Sequence, residues 1–199
     1  MGHSKAEKTK THKRIVAIAS KRFREKGLAG VGIAEVMKEA GLTVGGFYKH
    51  FGTRDDLVAE AVGSALAMWK RRLDAAAAAG GPPVTYERLV DSYLSEAHRN
   101  NPGAGCAVAA LAAEIPRCSK RTRALITEQV RNNVEWIESL IGGKEKDAAR
   151  SKAIFTFSAF VGAVGLARAV SDEELSQEIL KSVAQFLKKM QSCSKLNCS

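Results

Sequence analysis

The stretch from Ile33 to Phe51 constrains the fold most, because two short apolar patterns flank a glycine turn. Gly41 can adopt the positive φ at which a helix ends, and Thr43 stands where a following helix needs an N-cap. Before the turn, four apolar residues recur at i, i+3, i+4 and i+7, the spacing of one buried helix face: Ile33, Val36, Met37 and Ala40. Two short helices around a tight turn are therefore predicted.

In the second of these helices, Phe47 and Phe51 lie four residues apart, so both rings can face inward. A short helix that exposes an aromatic hydroxyl, a cation and glycines is poorly suited to a protein core. It suits insertion into the major groove of DNA, which is the role of the second helix of a helix-turn-helix. The side chains left largely outside are Val44, Gly45, Tyr48 and Lys49, with His50 near the edge.

The motif extends beyond the turn and resembles the DNA-binding domain of the TetR/AcrR family of bacterial repressors. This resemblance implies an all-α protein of about nine helices. A three-helix DNA-binding domain would occupy residues 1–60, with the helix-turn-helix at about 32–51, and a larger effector-binding and dimerisation domain would occupy residues 61–199. The residues that carry the resemblance lie between Ile15 and Leu57: Phe23, Gly27, Ile33, Ala34, Ala40, Gly41, Leu42, Thr43, Gly45, Phe47, Tyr48, Lys49, His50, Phe51 and Arg54.

Two positions depart from the family pattern. Gly32 replaces the usual Ser or Thr cap of the helix that starts at Ile33, and Gly is the least costly substitute there. Gly46 stands where many relatives carry a side chain aimed at bases, so base readout is expected to rest on fewer residues.

The register predicts how the motif meets double-stranded DNA. Lys49 is the best candidate to bond a guanine, and Val44 can contact a thymine methyl, with Gly45 and Gly46 also close to base edges. For Tyr48 and His50, the alternative to a phosphate contact is that each is an ordinary hydrated surface residue. The expected phosphate contacts are Thr43, Tyr48, His50 and Arg54, with Lys10, Lys13 and Arg14 from the basic N-terminal arm, which is otherwise a solvated terminus.

Composition narrows the class of protein. The 199 residues include only four prolines and carry a formal net charge of +10, which is typical of a helical protein that binds a polyanion. No paired carboxylates, activated nucleophile or phosphate-binding loop emerges, so an enzyme is not expected, nor a cofactor or a metal site. No secretory signal opens the chain, and the apolar stretch 153–167 is short of the ~20 residues of a membrane span. A cytoplasmic location is expected.

Helix signals divide the remaining chain. Thr11 is predicted to cap the first helix, which should end at Gly27. Thr53 and Asp56 form a predicted capping box at the start of a connector helix, and Ser171 with Glu174 forms another before the last helix. The other predicted helices span 86–99, 106–115, 119–141 and 145–170.

The last two helices are too apolar for a lone helical pair in water. Gly162 and Gly165 would allow another backbone to approach closely, and by the family resemblance these helices pair with a second copy in a four-helix bundle. The alternative is the core of a monomer. A homodimer would hold two motifs one helical turn of DNA apart, as a palindromic operator requires.

The trigger for DNA release is expected in the larger domain. Cys106 follows a glycine-rich turn at a predicted helix start, where a thiolate is favoured, and Cys118 lies between cations. Cys106 is therefore a candidate sensor of thiol-reactive compounds. The alternative roles of Cys106 are a small packing residue or one half of a Cys106–Cys118 disulfide. The alternative signal is a purely non-covalent hydrophobic ligand. The alternative class of protein is an architectural DNA-binding protein without an effector. The candidate pocket residues are Trp69, Tyr86, Tyr93, Trp136 and Phe155.

Overall fold

The structure is a computed structural model that describes residues 5–66, 68–143 and 145–196. For residues 68–70, 72, 73 and 193–196 it describes the backbone only, so the prediction for Trp69 lies outside the described side chains. The described residues are mostly helical and include no strand, which confirms the predicted all-α class.

Ten α-helices and three short 3-10 helices follow one another in the described ranges. The 3-10 helices are Val44–Lys49, Pro102–Ala104 and Ile115–Arg117. The α-helices are α1 (Lys5–Lys26), α2 (Ile33–Glu39), α3 (Arg54–Leu66), α4 (Met68–Ala78), α5 (Tyr86–Tyr93), α6 (Glu96–Asn100), α7 (Ala107–Leu111), α8 (Lys120–Ile141), α9 (Lys146–Ala169) and α10 (Glu173–Leu196).

The chain forms two compact units that differ from the predicted domains 1–60 and 61–199. The first unit contains residues 1–68 and also residues 102–127, and the second contains residues 69–101 and 128–199. Residues 102–127 belong to the first unit because α7 and the 3-10 helix Pro102–Ala104 pack on α1. The functional division at residue 60 remains a prediction.

In the first unit, α1 and α3 pack against each other around a core that includes Ile15, Phe23, Phe47 and Leu57, all nearly inaccessible to solvent. In the second unit, α9 and α10 pack together, and the Tyr93 ring stacks on Phe160 with centroids 4.4 Å apart.

A buried polar network ties α6 to α9 and α10 within the second unit. Arg99 donates to Glu173 Oε1 and to Ser176 Oγ, each at 2.7 Å. Arg168 donates to the carbonyls of His98 and Arg99 at 2.8 and 3.0 Å. The buried members of this network, Arg99 and Ser176, therefore have partners, as low-dielectric surroundings require.

Several predicted helix starts and stops are confirmed. Gly27 has φ +77°, directly after the last residue of α1, and Gly142 and Gly143 have φ +65° and +110° after α8. The Asp56 carboxylate accepts from Thr53 N at 2.9 Å, and Thr53 Oγ1 accepts from Asp56 N at 3.1 Å, which completes the predicted capping box.

Other predicted boundaries are wrong. Thr11 does not cap α1, because the Lys-, Glu- and Ala-containing residues from Lys5 onward are already helical. The helix predicted over 86–99 breaks after Tyr93, where the Ser95 hydroxyl accepts from His98 N and starts α6. At the last helix the cap is Asp172 rather than Ser171, since Asp172 Oδ1 accepts from Leu175 N at 3.1 Å.

By length and composition alone, α9 could cross a membrane, and no other described helix could. The most apolar part of α9 is 39% buried within the chain itself, and core helices of soluble proteins meet the same criterion. The helix is therefore longer than the apolar stretch 153–167 on which the sequence prediction rested, and its packing against protein stays a prediction.

Candidate nucleic-acid interface

The turn between α2 and the 3-10 helix Val44–Lys49 forms as the sequence predicts. Gly41 has φ +70°, its N–H donates to Lys38 O at 3.0 Å, and Leu42 N donates to Met37 O at 2.9 Å. This pair of hydrogen bonds is a Schellman motif, which satisfies the last carbonyls of α2 and reverses the chain.

The second helix of the motif is a six-residue 3-10 helix rather than an α-helix. Thr43 is its N-cap residue in extended conformation, but its side chain makes no capping hydrogen bond, so the predicted cap is wrong. The carbonyl of Thr43 instead accepts from Gly46 N at 3.0 Å, which is the i to i+3 bond of a 3-10 turn.

The inner and outer faces of this helix are those predicted. Phe47 and Phe51 are buried, and their rings stack with centroids 5.3 Å apart. Tyr48 is 71% exposed and Val44 is 50% exposed, and Lys49 also faces solvent.

The two glycines of this helix have open surroundings. A Cβ at Gly45 would meet nothing within 4 Å, and one at Gly46 would meet Met37 Cε at 3.6 Å, an ordinary contact. Neither glycine has a positive φ. No steric demand within the described part of the chain explains them, so their proximity to base edges stays a prediction.

His50 is half-buried at the edge of the helix. Burial lowers its pKa below the usual value, with smaller contributions from the nearby charges of His12, Lys8 and Lys49. Its Nδ1 atom is buried and has no hydrogen-bond partner among the described residues. The imidazole is therefore neutral near pH 7 and would meet a phosphate as a hydrogen-bond donor rather than as a cation.

A groove of about 470 Å³ separates this helix from the N-terminal part of α1. Four of its lining residues were not among the predicted DNA contacts: Glu7, Lys8 and Thr11, which only the packing of α1 brings beside the motif, and Leu42 in the turn. The lining residues of the groove are Glu7, Lys8, Thr11, Leu42, Thr43, Gly46, Lys49 and His50.

His12 was not among the predicted site residues either. Its ring stacks on Phe51 with centroids 4.6 Å apart, and its Nε2 lies 2.6 Å from Glu60 Oε2. His12 thus bridges α1 to α3 behind the groove. The separation of 48 residues between His12 and Glu60 leaves no local signal for this contact.

The predicted phosphate contacts have different surroundings. Lys10, Lys13 and Arg14 are placed on α1, and all three are exposed there. Arg54, in contrast, is half-buried, and its Nη2 donates to the carbonyls of Leu28 and Val31, the latter at 3.2 Å. Part of the Arg54 guanidinium is therefore engaged inside the first unit, and its phosphate contact stays a prediction.

The two described cysteine thiols both lie in the first unit, and neither forms a disulfide. Cys106 is 5% exposed and is the N-cap of α7, which has only five residues, so the expected helix dipole is weak. Burial raises the pKa of Cys118, and Glu114 and Asp55 raise it further. Cys118 also lines a cavity of about 300 Å³ with Leu28, Arg54, Glu114 and Arg117 among its walls.

The described pocket candidates lie in the second unit and have different surroundings. Tyr86 is buried, and its hydroxyl lies 2.9 Å from Thr156 Oγ1. Tyr93 is buried, Trp136 is half-buried, and Phe155 is 49% exposed beside Phe186. The described residues contain no group of three or more His, Cys, Asp or Glu that could hold a metal ion.

Comparison with known proteins identifies the N-terminal region. Residues 15–61 match the sequence family described as bacterial regulatory proteins of the tetR family. A comparison of the whole chain with curated proteins gives no significant match.

Solved structures with the same fold span nearly the whole chain. A TetR-family regulator from Cytophaga hutchinsonii has a TM-score of 0.74 at 19% identity and covers 95% of this chain and 98% of its own. One from Chloroflexus aurantiacus has a TM-score of 0.73 at 21% identity, covering 92% and 96%. The reduced form of NemR from E. coli has a TM-score of 0.72 at 19% identity, covering 90% and 96%.

Proposed function

We propose that this chain is a transcriptional regulator of the TetR family, a cytoplasmic homodimeric repressor that binds a palindromic operator and leaves it on a chemical signal. It would act by binding DNA and not as an enzyme. The observation that carries DNA binding is the outer face of the 3-10 helix Val44–Lys49. Tyr48, Val44 and Lys49 project there from a helix whose inner ring, Phe47, is fixed in the core.

The charges around this face fit a DNA duplex. Lys10, Lys13 and Arg14 lie on α1, which shares a groove with the 3-10 helix, and Lys8 and Lys49 line that groove. Cations beside a groove-reading helix give affinity to phosphates independently of sequence, while Lys49 and Val44 supply base contacts. Thr43, with no capping hydrogen bond, keeps its hydroxyl for a phosphate.

Dimerisation is supported by the exposed apolar surface of the last two helices. Gly162 and Gly165 on α9 would each present a Cβ to open space, so another backbone can approach there. An apolar stripe of this extent is costly in water and is typical of a protein interface. Its large members are Ile154, Phe155 and Leu166 on α9 and Leu175 and Phe186 on α10.

For the chemical signal we propose Cys106 as the primary target. Its thiol lies in the same compact unit as the helix-turn-helix, and an adduct in a site only 5% exposed would have to displace its neighbours. Cys118 is the weaker candidate, because its raised pKa reduces the reactive thiolate.

The reaction would be a conjugate addition. The Cys106 thiolate forms a carbon–sulfur bond to the β-carbon of an α,β-unsaturated carbonyl compound, the carbon–carbon double bond opens, and the α-carbon takes a proton from water. No oxidant is needed. The alternative for the signal is a non-covalent hydrophobic ligand held in the second unit, where Tyr86, Tyr93 and Trp136 lie.

The test is fluorescence anisotropy with labelled DNA from upstream of the protein's own gene, at several salt concentrations, with and without N-ethylmaleimide. Wild type is compared with Cys106→Ser and with Cys118→Ser as the matched control. Binding that weakens with salt and is abolished by the reagent only when Cys106 is present supports the whole proposal.

Other outcomes would contradict individual parts of the proposed function. Tight binding that the reagent leaves unchanged in wild type removes the thiol signal and favours the non-covalent ligand. Binding that no ligand or reagent alters favours an architectural DNA-binding protein. The absence of sequence-specific binding would refute the repressor assignment.

A further inference from the structure

We propose that Glu114 is a positioning residue for DNA binding: it holds the turn between α1 and α2 from the segment that follows Cys106. This inference rests on the proposed repressor function and names the contact through which that function is regulated. It assigns residues 102–127 a direct part in setting the geometry of the helix-turn-helix.

The Glu114 carboxylate binds the turn through its backbone N–H groups. It accepts from Leu28 N at 2.9 Å with Oε2 and at 3.1 Å with Oε1, and Oε2 also lies 3.3 Å from Ala29 N. These amides follow Gly27, whose φ of +77° turns the chain out of α1. Hydrogen bonds from backbone amides to a carboxylate are stronger than those between neutral groups.

The same turn is held from its carbonyl side by α3. Arg54 Nη2 donates to Leu28 O and to Val31 O, and its guanidinium carbon lies 5.9 Å from the centre of the Phe23 ring. Leu28 therefore has both backbone polar groups bound by side chains from distant parts of the sequence, Glu114 on the N–H and Arg54 on the carbonyl.

Gly27 allows the carboxylate to come this close. A Cβ on Gly27 would lie 2.8 Å from Glu114 Oε1, closer than real Cβ contacts allow. A side chain at position 27 would therefore require the Glu114 carboxylate to move.

These contacts from Glu114 and Arg54 matter because the start of α2 has no side-chain cap. Gly32, the N-cap residue, has no side chain to accept a hydrogen bond from the first amides of α2. The position at which α2 starts is therefore set by the preceding turn, which Glu114 and Arg54 fix. α2 in turn packs on the 3-10 helix Val44–Lys49 that carries Tyr48 and Lys49.

Glu114 is also connected to the candidate sensor by a short path. Cys106 caps α7, α7 ends at Leu111, and Leu111 O accepts from Glu114 N at 2.9 Å. On the N-terminal side of Cys106, Arg24 of α1 donates through Nε to Gly103 O at 3.1 Å. The segments on both sides of Cys106 are therefore hydrogen-bonded to α1 or to the turn that follows it. An adduct that moves α7 would pull Glu114 away from Leu28.

The net charge and the positioning role predict changes of DNA affinity in opposite directions. Removal of a carboxylate makes the protein more positive and by itself favours binding to DNA. The positioning role predicts the opposite, because loss of the hydrogen bonds to Leu28 and Ala29 frees the turn. We expect Glu114→Ala to weaken operator binding about ten- to hundred-fold, the range for hydrogen bonds to a charged group. Glu114→Gln, which keeps one acceptor, should recover part of this loss.

The experiment measures operator affinity by anisotropy for the full-length wild type, Glu114→Ala, Glu114→Gln and Glu128→Ala. Glu128 is an exposed residue of α8 paired with Arg131, so its removal changes the net charge equally without touching the turn. Urea unfolding identifies any variant that fails to fold. Amide hydrogen exchange of the free protein at Leu28 and Ala29 reports the turn itself, and faster exchange in Glu114→Ala than in Glu128→Ala is expected.

Each outcome has one meaning. Weaker binding of Glu114→Ala, partial recovery in Glu114→Gln and faster exchange at Leu28 support the proposal. Equal or tighter binding of Glu114→Ala, or unchanged exchange at Leu28 and Ala29, overturns it while the repressor assignment stands. Failure of the wild type to bind any duplex overturns the repressor assignment and this positioning role together.

Discussion

Phe47 and Tyr48 are consecutive residues with opposite surroundings: the Phe47 ring is fully buried, and the Tyr48 ring, edge-on to it with centroids 5.3 Å apart, projects into solvent. The buried ring fixes the direction of the exposed one. Packing of the core and presentation of the side chain proposed to contact DNA are therefore linked at adjacent positions.

The adjacent pair separates binding from stability. Tyr48→Ala should weaken operator binding about tenfold through loss of a phosphate contact, with the free energy of unfolding unchanged to within about 0.5 kcal/mol. Phe47→Ala should lower that free energy by about 3–5 kcal/mol, because it leaves a cavity in the core. Anisotropy and urea unfolding measure the two effects. Unchanged affinity of Tyr48→Ala would remove Tyr48 from the interface.

Phe186 tests the dimer. Its ring is 61% exposed on α10, so Phe186→Glu should leave the fold of each chain intact while placing a charge in the proposed apolar interface. Sedimentation equilibrium is expected to show a dimer for wild type and a monomer for this variant. Lys181→Gln, on an exposed position of α10 and with the same change of net charge, should remain dimeric. A dimeric Phe186→Glu would refute the proposed interface.

His98 makes the stability of the protein dependent on pH. Burial lowers its pKa from 6.5 to about 4, while the ring Nδ1 stays bonded to Tyr93 O at 2.7 Å. Below the unfolded pKa the unfolded chain takes up a proton that the folded chain refuses, so stability is lost as the pH falls from 6.5 to about 4. The loss attributable to this group is on the order of 3 kcal/mol at the acid limit.

Urea unfolding between pH 7.5 and pH 4.5 measures this effect. In His98→Asn the side-chain amide can still donate to Tyr93 O but cannot titrate, so the pH dependence should be reduced. A smaller dependence with the same sign should remain, because the pKa of His50 is lowered as well. An equally steep dependence in His98→Asn would show that other groups are responsible.

Two glycines of the helix-turn-helix should respond oppositely to a side chain. A Cβ added at Gly32 or at Gly41 would meet nothing within 4 Å, so the difference between the two positions lies in the backbone. Gly32 has φ −86° and ψ 155°, which suits a serine cap, and Gly32→Ser should stabilise the fold by a few tenths of a kcal/mol. Gly41 has φ +70°, and Gly41→Ala should cost about 1–2 kcal/mol. Thermal unfolding compares them, and similar shifts for both would contradict the argument.

Local sequence patterns predicted most of the helices and the faces of the motif. The spacing of Phe47 and Phe51 was sufficient to place Tyr48 and Val44 outside, since burial of two rings fixes the rotation of a short helix. The break after Tyr93 was missed because the apolar pattern continues through Leu94, and a serine that caps a helix looks the same in sequence as one inside it.

Contacts between distant segments could not be predicted in this way. Glu114 binds amides 85 and 86 residues away, and His12 meets Glu60 across 48 residues. Nothing in the pattern around either residue marks its partner. The same holds for Arg54, whose side chain was expected at phosphate and is engaged by carbonyls within its own unit.

The chain contributes to its first compact unit twice, through residues 1–68 and again through residues 102–127. Exchange of DNA-reading modules between regulators by a single crossover near residue 60 would therefore separate the helix-turn-helix from the carboxylate that supports it. A transplanted module that keeps its native operator preference would have to carry both pieces. Recombination at that point is thus constrained by the contact between Glu114 and the turn at Leu28, two segments that lie far apart in the sequence.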